Sequence, residues 1–179
     1  MKKYLIVGGV AGGATAAARL RRVDEDAQII LFEKGEHVSF ANCGLPYYVG
    51  GAITERDALL VQTPAGLRAR FNIDVRVQNE VIGLEAAGRK VRVRLPQGGI
   101  YEESYDALLL APGAKALRPP IPGLDQERIV SLRNVADADA LKQLADQFAG
   151  RGRAVVVGGG FIGVETAENL RERGLSVTL

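Results

Sequence analysis

A short apolar run, a cluster of glycines and a stretch of helix-forming residues occur in that order twice in this chain, about 150 residues apart. No other feature of the sequence restricts the available folds as strongly. The first copy runs from Tyr4 to Val7, through Gly8-Gly9-Val10-Ala11-Gly12-Gly13, into small residues up to Arg22, where Ala14, Ala17 and Ala18 suit a helix pressed closely on a sheet. Gln28 to Phe32 is a second apolar run, so the opening reads as a buried strand, a helix and a second, parallel strand. The second copy is a strand from Ala154 to Val157, the cluster Gly158-Gly159-Gly160-Phe161-Ile162-Gly163, a helix from Val164 to Arg173 and a strand beginning at Ser176.

The residues between the two copies have a different texture. Phe40 to Arg70 is irregular, with Pro46 and Thr63-Pro64 marking the starts of helical turns. Val81 to Leu84, Val91 to Leu95 and Ile100 to Ser104 are short alternating runs separated by Ala87-Gly88 and Gln97-Gly98-Gly99, which predicts a small antiparallel meander. Asp106 to Leu110 is a further buried strand, ended by Ala111-Pro112-Gly113. Pro119, Pro120 and Pro122 then mark a domain crossing, and Asn134 to Phe148 carries Leu141, Leu144 and Phe148 at helical spacing before Gly150. The expected architecture is α/β. A Rossmann-like domain with an antiparallel β-meander occupies 1–115, and a connector with the beginning of a second Rossmann-like domain occupies 116–179. A sheet left unfinished at Leu179 implies a longer functional protein.

Gly158, Gly160 and Gly163 satisfy the dinucleotide fingerprint: a tight turn, close approach of backbone to a pyrophosphate, and close packing of helix on strand. Amide groups at the helix start then meet the phosphate charge, with Phe161 and Ile162 in the turn. In the first cluster Val10 stands where the second glycine belongs. Glu33, 20 residues after Gly13 at the end of the second strand and followed by Lys34, supplies a carboxylate for an adenosine ribose. One glycine cluster is as readily an ordinary tight turn; two, with Glu33, favour nucleotide binding. The matching acid of the second site would fall beyond Leu179, which leaves NADH and NADPH equally open.

Composition removes several function classes. Apolar residues make up 47% and charged residues 25%, with a net charge of +2 and no basic block, so a nucleic-acid partner has no support. No run approaches the ~20 apolar residues of a membrane span. Lys2-Lys3 and the apolar stretch ending in Ala16-Ala17-Ala18 imitate a secretory leader, but Gly8, Gly9, Gly12 and Gly13 interrupt it, and a cytoplasmic location is expected. The single cysteine excludes an internal disulfide. His37 is the only histidine, in a charged loop where an exposed, structural role is expected, and no metal site is foreseen.

Cys43 lies in Ser39-Phe40-Ala41-Asn42-Cys43-Gly44-Leu45-Pro46. A lone cysteine is most often a small buried hydrophobe. Here Pro46 predicts a helix start just after it, whose positive end favours an anionic sulfur, and Ser39 and Asn42 offer polar groups beside it. This string, with both cradles, Glu33 and Ala111-Pro112-Gly113, resembles the single-cysteine branch of the pyridine nucleotide–disulfide oxidoreductases, nearest to the coenzyme A disulfide reductases and NADH-dependent persulfide reductases. The resemblance runs over the whole chain. It implies that Gly8 to Gly13, Glu33 and Lys34 bind the ADP half of FAD and that Val81, Ala111, Gly113 and Arg133 line the flavin. It also implies that Gly158, Gly160, Phe161, Ile162 and Gly163 bind NAD(P)H, with Glu165 near the nicotinamide. Thr15, Arg19, Arg22, Ser39 and Asn42 match substrate contacts for a coenzyme A-type disulfide or persulfide, while a further basic contact of that branch is replaced by Phe71, next to Arg70. Cys43 would be the redox-active centre, receiving electrons from nicotinamide through flavin, in a homodimer.

The sequence supports part of this independently. Thr15, Arg19 and Arg22 stand at i, i+4 and i+7 and share one helix face, where two guanidiniums can grip phosphate. Two other readings remain open: an NADH oxidase or peroxidase cycling through a cysteine sulfenic acid, and a non-enzymatic flavin-binding redox module. Val10 stands where the peroxide-reducing relatives carry a histidine, which favours a thiol-type substrate.

Overall fold

The computed structural model describes every residue from Met1 to Leu179. The chain forms two compact units: Met1–Phe40 with Leu60–Gly113, and Ala41–Leu59 with Ala114–Leu179.

The first unit is built on β1 (Lys3–Val7), α1 (Gly12–Val23), β2 (Gln28–Glu33), α3 (Pro64–Phe71), β3 (Asp74–Val77), the meander β4 (Glu80–Glu85), β5 (Lys90–Arg94) and β6 (Ile100–Ser104), and β7 (Ala107–Leu110), with α2 (Leu45–Gly50) belonging to the other unit. Its sheet is parallel throughout, in the order β3-β2-β1-β7. Successive side chains point to opposite faces of a strand, and the apolar residues divide accordingly. Ile6, Ile29, Leu31 and Val75 pack with Ala17 of α1 and Leu67 of α3. Leu5, Ile30 and Phe32 pack with Val91 and Val93 of the meander. Both faces are therefore covered around β1 and β2, which is why those two strands read as continuous apolar runs, whereas β7, expected to be buried, lies at the sheet edge with Leu109 and Leu110 exposed.

Local chemistry sets the helix limits. Thr63 caps α3 by accepting the Gly66 amide at 3.0 Å, as Thr63-Pro64 predicts, and Asn72 ends it with φ 48°. Arg21 locks the end of α1 to its neighbours, its guanidinium donating to the carbonyls of Phe71, Asp24, Glu25, Ala27 and Asn72. On the other face, Arg76 of β3 donates to Asp74 and to Glu103 of β6, and Lys3 of β1 also donates to Glu103. Burial alone would push the Glu103 carboxyl up, but the hydrogen bonds from Lys3 and Arg76 outweigh it and hold the group below its ordinary value.

The strand β3 is absent from the sequence reading. It is four residues long and half charged, and it pairs with β2 from Ile30↔Asp74 to Glu33↔Val77. His37 also differs from expectation. Its side chain is only 21% exposed, with Nε2 3.9 Å from the Glu36 carboxylate.

The second unit contains α2, α4 (Val135–Phe148), β8 (Arg153–Val155), α5 (Phe161–Glu172) and β9 (Ser176–Thr178). β8 and β9 are parallel with α5 between them in sequence, the βαβ form expected from the second glycine cluster. Asn134 and Asp137 form a reciprocal capping box at the start of α4. α2 packs on both α4 and α5, burying Leu45, Pro46, Tyr48 and Val49. Residues Ala41–Leu59 thus belong structurally with the later part of the chain, although in sequence they interrupt the first unit. The Ala41 amide donates to the Leu59 carbonyl at 2.8 Å and closes the base of this excursion.

Candidate functional site

The two glycine clusters have the same construction. Gly8 and Gly158 turn the chain with φ of 96° and 115°, values that side chains rarely tolerate. A Cβ on Gly13 would overlap the carbonyl oxygen of Gly8, and one on Gly163 would overlap that of Gly158. The bare glycine at the third position is what lets each helix start against its strand. By contrast, a Cβ on Gly160 would meet nothing within 4 Å, and one on Gly12 only the Ala111 Cβ at 3.8 Å. The helix-start backbone of each cradle is thus open to a phosphate group. α5 begins at Phe161, three residues before the expected Val164, so Phe161 and Ile162 form its first turn and are exposed.

Within the first unit, Glu33 ties the cradle together. It is 9% exposed, and its two oxygens accept the Gly9 amide at 2.8 Å and the Gly35 amide at 2.7 Å. The Gly8 amide donates to Phe32 and the Ala111 amide to Val7, bringing the ends of β1, β2 and β7 together around Gly8. Ala111 and Gly113 lie in this cluster of strand ends, with Gly113 at φ 66°, and Val81 packs against the Leu5–Phe32 core. Lys34 is exposed, Val10 half-buried and Ala11 exposed. Ser39 holds φ 47°, its amide donating to Gly9 and its carbonyl accepting from Val61 and Gln62.

Thr15, Arg19 and Arg22 are all exposed on α1, the shared face their spacing predicts. The ring of Phe71 collects two guanidiniums, with Arg22 Cζ at 5.8 Å and Arg70 Cζ at 5.2 Å from its centre. The position where the sequence departs from its resemblance therefore gathers basic groups rather than lacking them.

In the second unit, Cys43 sits in a single 3-10 turn, Asn42–Gly44, directly before α2, and is exposed. Gly44 forms the inner side of that turn: a Cβ there would lie 3.1 Å from Leu59 and 3.2 Å from Ile53. The sulfur is therefore on the open side rather than among the aliphatic groups. Asn42 Oδ1 is buried without a hydrogen-bond partner. Arg133 donates through Nε to the Ala114 carbonyl at 2.9 Å, and Glu165, half-buried on α5, accepts the Asn169 side chain at its carbonyl. No group of three His, Cys, Asp or Glu side chains gathers in a metal-holding arrangement, and no helix is long and apolar enough to cross a membrane.

The expected residues thus fall into two groups. Gly8 to Gly13, Thr15, Arg19, Arg22, Glu33, Lys34, Ser39, Val81, Ala111 and Gly113 belong to the first unit. Asn42, Cys43, Arg133, Gly158 to Gly163 and Glu165 belong to the second. Tyr48, Arg56 and Asp139 escaped the sequence reading. Tyr48 and Arg56 donate to the Asp139 carboxylate across 91 and 83 residues of sequence, and no local pattern announces such a meeting.

A comparison with known proteins agrees with this construction. The coenzyme A disulfide reductase of Staphylococcus haemolyticus is 44% identical over 180 residues, an alignment that takes in 100% of this chain and 40% of that protein. The structure of reduced Bacillus anthracis CoADR-RHD superposes with a TM-score of 0.94 at 51% identity, over 99% of this chain and 32% of that one. A NAD-dependent persulfide reductase from A. fulgidus superposes with a TM-score of 0.92 at 36% identity, over 98% of this chain and 33% of that one. The chain therefore spans about two fifths of the length of the curated relatives it matches. The sequence profile of the pyridine nucleotide-disulphide oxidoreductases matches residues 2–179, and with its paired cradles and single exposed cysteine the chain belongs to that family.

Proposed function

We propose that this chain forms part of an FAD-dependent oxidoreductase that uses NAD(P)H to reduce coenzyme A-type disulfides or persulfides through Cys43. The observation that carries this reading is the exposed sulfur on the turn before α2, in a chain with two nucleotide cradles. The names of its relatives point to the same substrate class.

Gly8 to Gly13 would hold the FAD pyrophosphate, with the Glu33 carboxylate available to the ribose through the lone pairs left by Gly9 and Gly35. Gly158 to Gly163 would hold the pyrophosphate of NAD(P)H. Arg19 and Arg22, with Arg70, which shares the Phe71 ring with Arg22, would hold phosphate groups of the substrate. Cys43, as thiolate, attacks one sulfur of the substrate disulfide: a new S–S bond forms to Cys43, the old one breaks, and the other half leaves as a thiolate. With a persulfide the leaving group is hydrosulfide. FAD, when bound, supplies the relay that carries an electron pair from NAD(P)H and returns the mixed disulfide to two thiols.

The test uses full-length protein. Cys43→Ser is expected to retain bound flavin and its reduction by NADH, and to lose turnover on coenzyme A disulfide and persulfide. Wild-type protein should prefer these substrates to oxygen and peroxide. Undiminished disulfide turnover by the serine variant refutes the mechanism.

A further inference from the structure

The excursion that carries Cys43 is held in the second unit chiefly by apolar contacts, with Leu45, Val49 and Leu59 each at most 3% exposed. Such contacts are non-directional; they keep the segment down without fixing its register. Two directional contacts meet at one carboxylate. Asp139 of α4 accepts the Tyr48 hydroxyl at 3.1 Å on Oδ1 and the Arg56 Nε–H at 2.9 Å on Oδ2. Tyr48 lies on α2, which continues directly from the cysteine turn, and Arg56 lies on the 3-10 turn Arg56–Leu59 that brings the segment back. Asp139 therefore grips both arms of the excursion, outgoing and returning.

The environment makes the grip specific. Tyr48 is 7% exposed, so its hydroxyl depends on that carboxylate for a partner. Burial and the hydrogen bond to Asp139 push the phenol above its ordinary value and keep it a donor. Lys142 Nζ stands 5.4 Å from the Tyr48 ring centre, on the same helix as Asp139.

We propose that Asp139, acting through Tyr48 and Arg56, is a positioning residue for Cys43, fixing the register of α2 on α4 and with it the place of the cysteine turn that leads into α2. This rests on Cys43 being the redox residue. A displacement of roughly 1 Å in a reacting group costs on the order of 100-fold in rate, which sets the size of effect that a lost grip can produce.

The experiment is performed on the full-length flavoprotein with Asp139→Ala, Asp139→Asn, Tyr48→Phe and Cys43→Ser. Stopped-flow bleaching of the flavin by NADH reports hydride transfer, and steady-state turnover on coenzyme A disulfide reports the cysteine's step. Asp139→Ala should lower turnover by roughly 10- to 100-fold, with flavin content and the bleaching rate unchanged. Asp139→Asn, which keeps an acceptor for Tyr48 but turns an NH2 toward Arg56, should fall between, as should Tyr48→Phe, which keeps only the Arg56 arm. If Asp139→Ala does not fold, these two variants decide the matter by the same comparison. Undiminished turnover in the Asp139 variants, or equal losses in bleaching and turnover, overturns the positioning role. If Cys43→Ser also retains full turnover, the assignment of the cysteine falls with it; if Cys43→Ser is inactive, the positioning role falls alone.

Discussion

Replacing Glu33 by glutamine probes the first cradle with the smallest change of shape. The native carboxylate accepts the Gly9 amide at 2.8 Å and the Gly35 amide at 2.7 Å, and the side chain is 9% exposed. Glutamine keeps one oxygen and turns an NH2 toward the other amide, so one hydrogen bond disappears and a backbone donor faces a donor. A hydrogen bond to a charged group contributes about 1.5–3 kcal/mol, and an unsatisfied buried donor costs about 1–3 kcal/mol. Because rotation and water relieve part of the conflict, we expect about 2–4 kcal/mol of destabilisation, a large share of a typical total of ~5–15 kcal/mol. The melting temperature of the full-length apoprotein should fall, by at most the ~2–4 °C per kcal/mol that holds for a domain of about 150–250 residues. Flavin bound after purification, measured by absorbance, should fall as well, because Gly9 lies within the phosphate turn. Unchanged melting with full flavin content refutes both the energetic reasoning and the place given to Glu33.

Other consequences follow from the same geometry. Arg22→Ala and Arg70→Ala should each raise KM for coenzyme A disulfide by roughly 3- to 10-fold without lowering kcat, since exposed guanidiniums contribute binding rather than chemistry; a loss confined to kcat contradicts the phosphate role. Gly163→Ala places a methyl against the Gly158 carbonyl, so α5 must retreat from β8. Overpacking of about 1–3 kcal/mol should raise KM for NADH by roughly 10-fold or more while flavin content persists, and an unaltered KM contradicts the assignment. Glu103 has a folded pKa held below its ordinary value of 4.5, so its stabilising contribution is present above that value and is lost as pH falls through the lower, folded one. The stability difference between wild type and Glu103→Gln, from denaturant titrations, should therefore be full at neutral pH and shrink in acid; a pH-independent difference contradicts the pairing with Lys3 and Arg76.

The parts legible in the sequence are those whose causes are local. Gly13 and Gly163 answer to the carbonyls of Gly8 and Gly158 five residues before them, and Gly8 and Gly158 to their own positive φ, so both cradles can be read directly. Helix starts at Thr63-Pro64 and Asn134 likewise rest on caps a few residues long. Thr15, Arg19 and Arg22 share a face because helical period alone requires it. Features set by distant partners were not legible. β3 forms because β2 offers an edge, and Asp-Val-Arg-Val does not look like a strand until Arg76 meets Glu103 and Val75 joins the core. Glu33 is legible as an acid at a strand end, but its bond to Gly35 depends on the loop that follows. The grouping of Ala41–Leu59 with the later residues is set by α2 meeting α4 and α5. Half-burial of His37 similarly follows from the path of its loop.

Mass spectrometry of the peptide bearing Cys43 tests the central claim most directly. Full-length protein reduced with NADH, freed of nucleotide and mixed with coenzyme A disulfide should carry one coenzyme A on Cys43, and renewed NADH should remove it. A cysteine that stays unmodified while the disulfide is turned over would contradict the account.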